Sequence, residues 1–170
     1  MKNECIVLIG MAGAGKSTVG TALAKKLGLA FTDLDLYIRE KGYRSIQKII
    51  DTQGETALLQ IEKDQMYQID LYRRVVSPGG SIIYHSDLMC YLKEKAVLVY
   101  LDEEFSTIEK RIKNPSARGI IGIKTRTLQE IYDERRPLYD QYADVVVKPI
   151  GKNIDVLVLE IIQTIQTLKL

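Results

Sequence analysis

Histidine occurs once and cysteine twice in 170 residues, and each scarcity removes a class of function. One histidine, His85, cannot supply a multi-histidine metal site or a histidine-centred triad. It reads as a polar surface or substrate-proximal group in the turn after a glycine pair. Two separated cysteines, Cys5 and Cys90, make neither a disulfide framework nor a zinc site. They read as buried thiols of a protein from a reducing cytoplasm. Charge of one sign is also lacking: 24 Lys and Arg face 22 Asp and Glu, a formal net charge of +2. The basic residues are dispersed and not interleaved with aromatics, which argues against a nucleic-acid or membrane surface. No apolar run approaches the ~20 residues that span a bilayer. The first residues lead straight into a predicted strand, which leaves no room for a signal peptide. Repeats, low-complexity tracts and linkers are missing too, so a single domain over 1–170 is expected.

What is present is Gly10-Met11-Ala12-Gly13-Ala14-Gly15-Lys16-Ser17, which fits the phosphate-binding pattern G-x-x-x-x-G-K-[ST]. The strand-like run 4–9 precedes it. A helical run through Thr18 follows, with Val19, Ala22, Leu23 and Leu27 on one face. Glycines let the backbone wrap an anion and turn its N–H groups inward, and the helix N-terminus adds partial positive charge. Lys16 would reach the β- and γ-phosphates of ATP, and the Ser17 hydroxyl would ligate Mg²⁺. Further on, strand-like and helical runs alternate, which predicts a parallel sheet covered by helices on both faces. Right-handed crossovers then gather the binding loops at the carboxyl ends of the strands. Asn153 is expected to cap a last helix whose apolar face carries Ile154, Leu157, Ile161, Ile165 and Leu168.

Three features point from nucleotide binding toward phosphoryl transfer to a small molecule. Asp33-Leu34-Asp35 follows the second strand, and strand alternation would point both carboxylates the same way. One would hold Mg²⁺ through water while the other orients an acceptor hydroxyl. Pro78-Gly79-Gly80 follows the third strand and permits close backbone approach to a substrate. The basic loop 113–119 would serve as a mobile lid, near 112–125, that carries Arg118 to the transferring group.

In order and spacing, Gly10 to Ser17, Asp33-x-Asp35, Gly54-Glu55, Gly79-Gly80, Arg118 and Arg135-Arg136-Pro137-Leu138-Tyr139 resemble the shikimate kinases, over roughly residues 4 to 147. The resemblance implies a nucleoside-monophosphate-kinase-like P-loop fold, three-layer α/β/α with a five-stranded parallel sheet. It also implies ATP-dependent phosphorylation of the shikimate 3-hydroxyl in the aromatic amino-acid pathway. By the same resemblance Asp33 helps organise Mg²⁺, and Asp35 contacts and deprotonates the acceptor. Gly79 and Gly80 line the acceptor site, Arg135 binds the substrate carboxylate, Arg118 is the catalytic lid arginine and Arg111 packs on adenine. An acceptor region near 33–62 and a monomeric state are expected.

The departures fall on the acceptor side. Where the family carries Phe-Arg-x-x-Glu, this chain reads Leu58-Leu59-Gln60-Ile61-Glu62, so Leu59 replaces an arginine of the carboxylate site. Losing a charge-assisted contact of that kind costs ~2–5 kcal/mol, roughly a 30- to several-thousand-fold loss of affinity. Ser81 follows Gly79-Gly80 where the family has a third glycine, and Arg118-Gly119-Ile120-Ile121 stands for Arg-Pro-Leu-Leu. Glu62, deprived of its arginine, is expected to be a free carboxylate that favours a polyol or a cationic group. A hydroxy-amino acid, with its carboxylate on Arg135 and its ammonium on Glu62, fits that pattern. Arg136, Arg73 and Lys63 are the candidates to replace the arginine and restore shikimate binding. Three readings therefore stand side by side: a shikimate kinase, a relative with another hydroxyl acceptor, and a non-catalytic ATP-binding protein.

Overall fold

The computed structural model describes residues 4–43, 45–115 and 118–168. The chain alternates strands and helices as the periodicity predicts. Strand β1 (Cys5–Ile9) enters the glycine loop, and α1 (Lys16–Leu27) leaves it. Gly15, in the left-handed region at φ 94°, turns the chain into α1, and Gly28 at φ 66° closes that helix onto the Ala24 and Lys25 carbonyls. Then come β2 (Ala30–Asp33), α2 (Leu34–Glu40), α3 (Ile46–Gln53) and α4 (Glu55–Gln68). Strand β3 (Arg74–Ser77) runs into a short 3₁₀ helix, Gly80–Tyr84, and α5 (Ser86–Lys95). Strand β4 (Val97–Leu101), α6 (Phe105–Arg111), α7 (Leu128–Tyr142), β5 (Val145–Val147) and α8 (Ile154–Thr167) complete the order.

The five strands lie parallel in the order β2-β3-β1-β4-β5. Because both faces are covered, β1 and β4 are buried along their whole length, and their side chains simply alternate between two cores. Cys5, Val7, Ile9, Leu98 and Tyr100 pack toward α2–α5 and α7, whereas Ile6, Leu8, Val97 and Val99 pack toward α1 and α8. Gly20 lets α1 lie close on the sheet: a Cβ there would come within 2.5 Å of the Phe31 ring. At the carboxyl edge the strands end in Gly10, Asp33, Pro78 and Asp102, so four chemistry-bearing turns share one rim.

Several local expectations are corrected. The segment after Asp33 is helix, not a continuation of strand alternation: Asp33 Oδ1 accepts the Asp35 and Leu36 amides at 3.0 and 3.3 Å and starts α2. Strand alternation therefore does not orient Asp35, which sits in a first helical turn. His85 follows the 3₁₀ helix and stands just before α5. Cys5 is buried, but Cys90 on α5 is exposed. Asn153 does cap α8, accepting the Val156 amide at 2.9 Å, yet Ile154 faces outward while Leu157 and Ile161 are buried. Among the described residues no helix is long and apolar enough to cross a membrane.

Candidate active site

A cavity of about 640 Å³ opens on the carboxyl rim and is lined from the P-loop at one end to Arg135 and Glu62 at the other. At the nucleotide end, Gly10, Gly13 and Gly15 have φ of 144°, 80° and 94°, a backbone that residues with a Cβ rarely adopt. Ala14 is buried, and Ser17 and Thr18 are exposed at the mouth of α1. Lys16, only 8% exposed, arches over the loop and donates to the Gly10 and Met11 carbonyls at 2.8 and 2.9 Å. Burial pushes its pKa down to about 8, opposed by Asp35 and Asp33. Ser17 Oγ donates to Asp33 Oδ2 at 2.5 Å, which joins the two residues expected at the metal. Asp33 thus divides its carboxylate, one oxygen capping α2 and the other facing the P-loop. Two adjacent hard oxygen donors suit Mg²⁺, which takes one or two protein ligands and completes its shell with phosphate and water.

Arg111 lies beside the loop. Its Nη1 donates to the Gly13 carbonyl at 2.8 Å and stands 3.2 Å from Glu103 Oε2. Glu103 itself is buried at the end of β4. Composition and spacing gave no sign of this acidic tether.

At the acceptor end, burial pushes the Asp35 pKa above the usual carboxylate range, with Asp33 adding to the rise and Lys16 opposing it. Arg135 is 1% exposed and is among the largest fully buried side chains of the described residues. Its Nη2 donates to the Ile121 carbonyl at 3.0 Å and its Nε to the Tyr84 hydroxyl at 3.1 Å. Tyr84 in turn donates to Glu134, which pairs with Arg126. One turn beyond Arg135, Tyr139 donates to the Gly80 carbonyl at 2.6 Å. A Cβ on Gly80 would come within 3.1–3.3 Å of Tyr139, Arg135 and the Ala12 amide together, so the backbone approaches closely there. Tyr84 and Tyr139 are the hydroxyls that order this end.

Glu62 is not free. It is 3% exposed, and its Oε2 accepts the Ser81 hydroxyl at 2.6 Å. Burial drives its pKa up to about 7; the Ser81 bond, Arg135 and Lys16 pull the other way, and Asp35 adds to the rise. The two departures noted in sequence, Ser81 and the orphaned Glu62, are therefore one contact. Leu59 is half-buried against the core. None of the three candidates to replace its arginine lines the cavity. Arg73 pairs with Glu4 at the far edge of the sheet, Arg136 with Asp102, and Lys63 with Asp87 on the surface.

On the third side, Arg118 is exposed and lines the cavity with Gly119, Ile120 and Ile121. Ser116 and Ala117 of the expected lid lie outside the described residues. The stretch after Arg118 is tied to the acceptor region. The Gly119 amide donates to Gln47 Oε1 at 3.0 Å, the Gly122 amide to Glu55 Oε1 at 2.8 Å, and Ile46 packs under Gly119.

Compared with known proteins, residues 12–166 match the shikimate kinase family model. A shikimate kinase of Paracidovorax citrulli is 34% identical, with 92% of this chain and 88% of that protein covered. One of Persephonella marina is 32% identical over 95% of this chain and 98% of that protein. Among solved structures, shikimate kinase from Acinetobacter baumannii in complex with shikimate superposes with a TM-score of 0.89 at 28% identity, covering 97% and 94% of the two chains. A gluconokinase from Sinorhizobium meliloti, at 16% identity and a TM-score of 0.61, shares the fold.

Proposed function

The chain belongs to the shikimate kinase family, and from that premise we propose that it transfers the γ-phosphoryl group of ATP to the 3-hydroxyl of shikimate. The observation that carries this reading is Arg135. A fully buried guanidinium, fixed by Tyr84 and Ile121 and lining the same cavity as the P-loop, is a seat for an acceptor carboxylate.

In this reading the glycine loop, with Ala14 and Thr18, cradles the phosphates, and Lys16 exchanges its two loop carbonyls for phosphate oxygens. Ser17 and Asp33 hold Mg²⁺, whose charge offsets that of the polyphosphate. Arg111, braced by Glu103, borders the base. Gly79 and Gly80 admit the acceptor ring to the backbone, and Arg135 fixes its carboxylate. Asp35 then meets the acceptor hydroxyl. A carboxylate held above its usual pKa is the stronger base, and Asp35 takes the hydroxyl proton as the new P–O bond forms. Arg118 approaches the γ-phosphoryl from the lid side and stabilises its charge. Positioning and charge neutralisation supply the catalysis, with no covalent intermediate on the protein.

A second reading is favoured by one observation. None of Arg136, Arg73 and Lys63 lines the cavity to replace the arginine missing at Leu59, and among the described residues Glu62 is held by a serine instead. An acceptor other than shikimate, such as a hydroxy-amino acid or a polyol, would then be preferred. ADP release with ATP and Mg²⁺, measured on shikimate beside hydroxy acids, hydroxy-amino acids and polyols, separates the two. The proposal expects the highest kcat/KM on shikimate; turnover confined to another acceptor would replace it with the second reading.

A further inference from the structure

Glu62 is a buried carboxyl group for which the reaction has no obvious use. It projects from α4, and no ion pair reaches it among the described residues. Its Oε2 is taken by Ser81 from the 3₁₀ helix. Its Oε1 lies against Gly79, so close that a Cβ there would stand 2.4 Å away. The groups that face it are Asp35 from α2, Lys16 from the start of α1, and Arg135 and Tyr139 from α7. At the acceptor end, then, two carboxyl groups, Asp35 and Glu62, share two buried cations before any acceptor arrives: Lys16 acts on both and Arg135 on Glu62, while Arg39 and Arg118, which act on Asp35, are exposed. An acceptor carboxylate on Arg135 adds a third negative group. Leu59 contributes no charge to balance it.

Ser81 is suited to this imbalance. A guanidinium partner holds a carboxyl group only as the anion, whereas a hydroxyl donates to a carboxylate, favouring it, and can also accept from a neutral acid. Resting on the shikimate reading above, we propose that this site takes its anionic acceptor together with a proton on Glu62, with Ser81 as the positioning residue that holds the carboxyl group in both states. Burial places the Glu62 pKa at about 7, so the exchange falls in the working range. The sign follows from linkage. A bound carboxylate disfavours the Glu62 anion and raises its pKa further, so binding draws in a proton. Acceptor affinity is flat below about pH 7 and falls above it, by at most about tenfold per pH unit.

The test is calorimetric titration of shikimate into the whole protein. It is run in phosphate and in Tris, whose ionisation heats differ, at about pH 7.5, with affinities followed from about pH 6 to about pH 8.5. The expected result is uptake of a substantial fraction of one proton per bound shikimate. Because Lys16 also titrates in this window, and the Glu62 anion raises its pKa, the comparison is made in a Lys16→Arg background, whose guanidinium stays charged throughout: Lys16→Arg alone keeps the uptake and the alkaline fall, and with Glu62→Gln added both vanish. In Ser81→Ala the affinity drops and its alkaline fall begins at higher pH, because the lost hydroxyl bond favoured the anion. A merely structural serine would leave that onset in place. Should Glu62→Gln misfold, Leu59→Arg serves: a guanidinium three residues before Glu62 holds it as the anion and abolishes uptake. Binding without proton uptake, or a pH profile unchanged when Glu62→Gln is added to Lys16→Arg, overturns the proposal and leaves the shikimate reading standing. No shikimate binding at any pH overturns both.

Discussion

Gly79→Ala isolates the acceptor pocket from every other part of the molecule. Gly79 has φ −60° and ψ 156°, a conformation open to any residue, so alanine adds no backbone strain. All the effect comes from one methyl group. It would stand 2.4 Å from Glu62 Oε1, where ordinary contact begins at 3.4 Å. The carboxyl group must retreat by about 1 Å. A carboxyl that moves as a unit takes Oε2 with it and stretches the 2.6 Å bond from Ser81 beyond hydrogen-bond range. Leaving a buried polar pair unmade costs about 1–3 kcal/mol. Expressed in acceptor kcat/KM, that is a loss of roughly 5- to 150-fold. The P-loop is untouched, so the KM for ATP should stay within about twofold, well inside RT. Steady-state kinetics with each substrate varied in turn reads both numbers. An alanine variant with unchanged shikimate KM would refute the placement of Glu62 against the acceptor. A parallel rise in the KM for ATP would show that the methyl disturbs the whole rim.

The remaining predictions test the other walls of the cavity. Arg118→Ala should lower kcat by about 10²-fold or more, with the acceptor KM little changed, if the arginine acts on the transferring phosphoryl group; intact kcat would remove it from the mechanism. Glu103→Gln should raise the KM for ATP by about 1.5- to 5-fold by releasing Arg111. The effect is small because Arg111 is half-exposed and the ion pair is screened; an unchanged KM would mean that Arg111 needs no brace. Thr127→Ala breaks the capping box with Glu130 that starts α7, the helix of Arg135 and Tyr139. It should cost about 1 kcal/mol in a denaturant melt, and no loss would show that packing alone positions α7.

The ATP half of the site was legible because its signals are local. An apolar run, three glycines, a lysine and a serine lie within thirteen consecutive residues, Cys5–Ser17, and each acts on its neighbours. The third strand and its glycine turn were legible for the same reason. Asp33 misled because aspartate both ends strands and caps helices, and here it does the second while its other oxygen serves Ser17. The acceptor half was only partly legible. Leu59 and Ser81 stood out as departures, but their meaning depends on a contact across nineteen residues between α4 and the 3₁₀ helix. Glu62 looked free because its partner is a hydroxyl rather than a cation. The brace of Arg135 is equally non-local: Tyr84 lies fifty-one residues away, and the Ile121 carbonyl belongs to an irregular stretch with no periodicity to read.

The central claim is a reaction, and the product tests it most directly. Incubation of the purified protein with ATP, Mg²⁺ and shikimate, followed by phosphorus NMR of the mixture, should show ADP and a phosphate monoester in equal amounts, with the ester coupled to the proton on carbon 3 of shikimate. ADP with only inorganic phosphate, or no consumption of ATP while the same protein phosphorylates another alcohol, would contradict it.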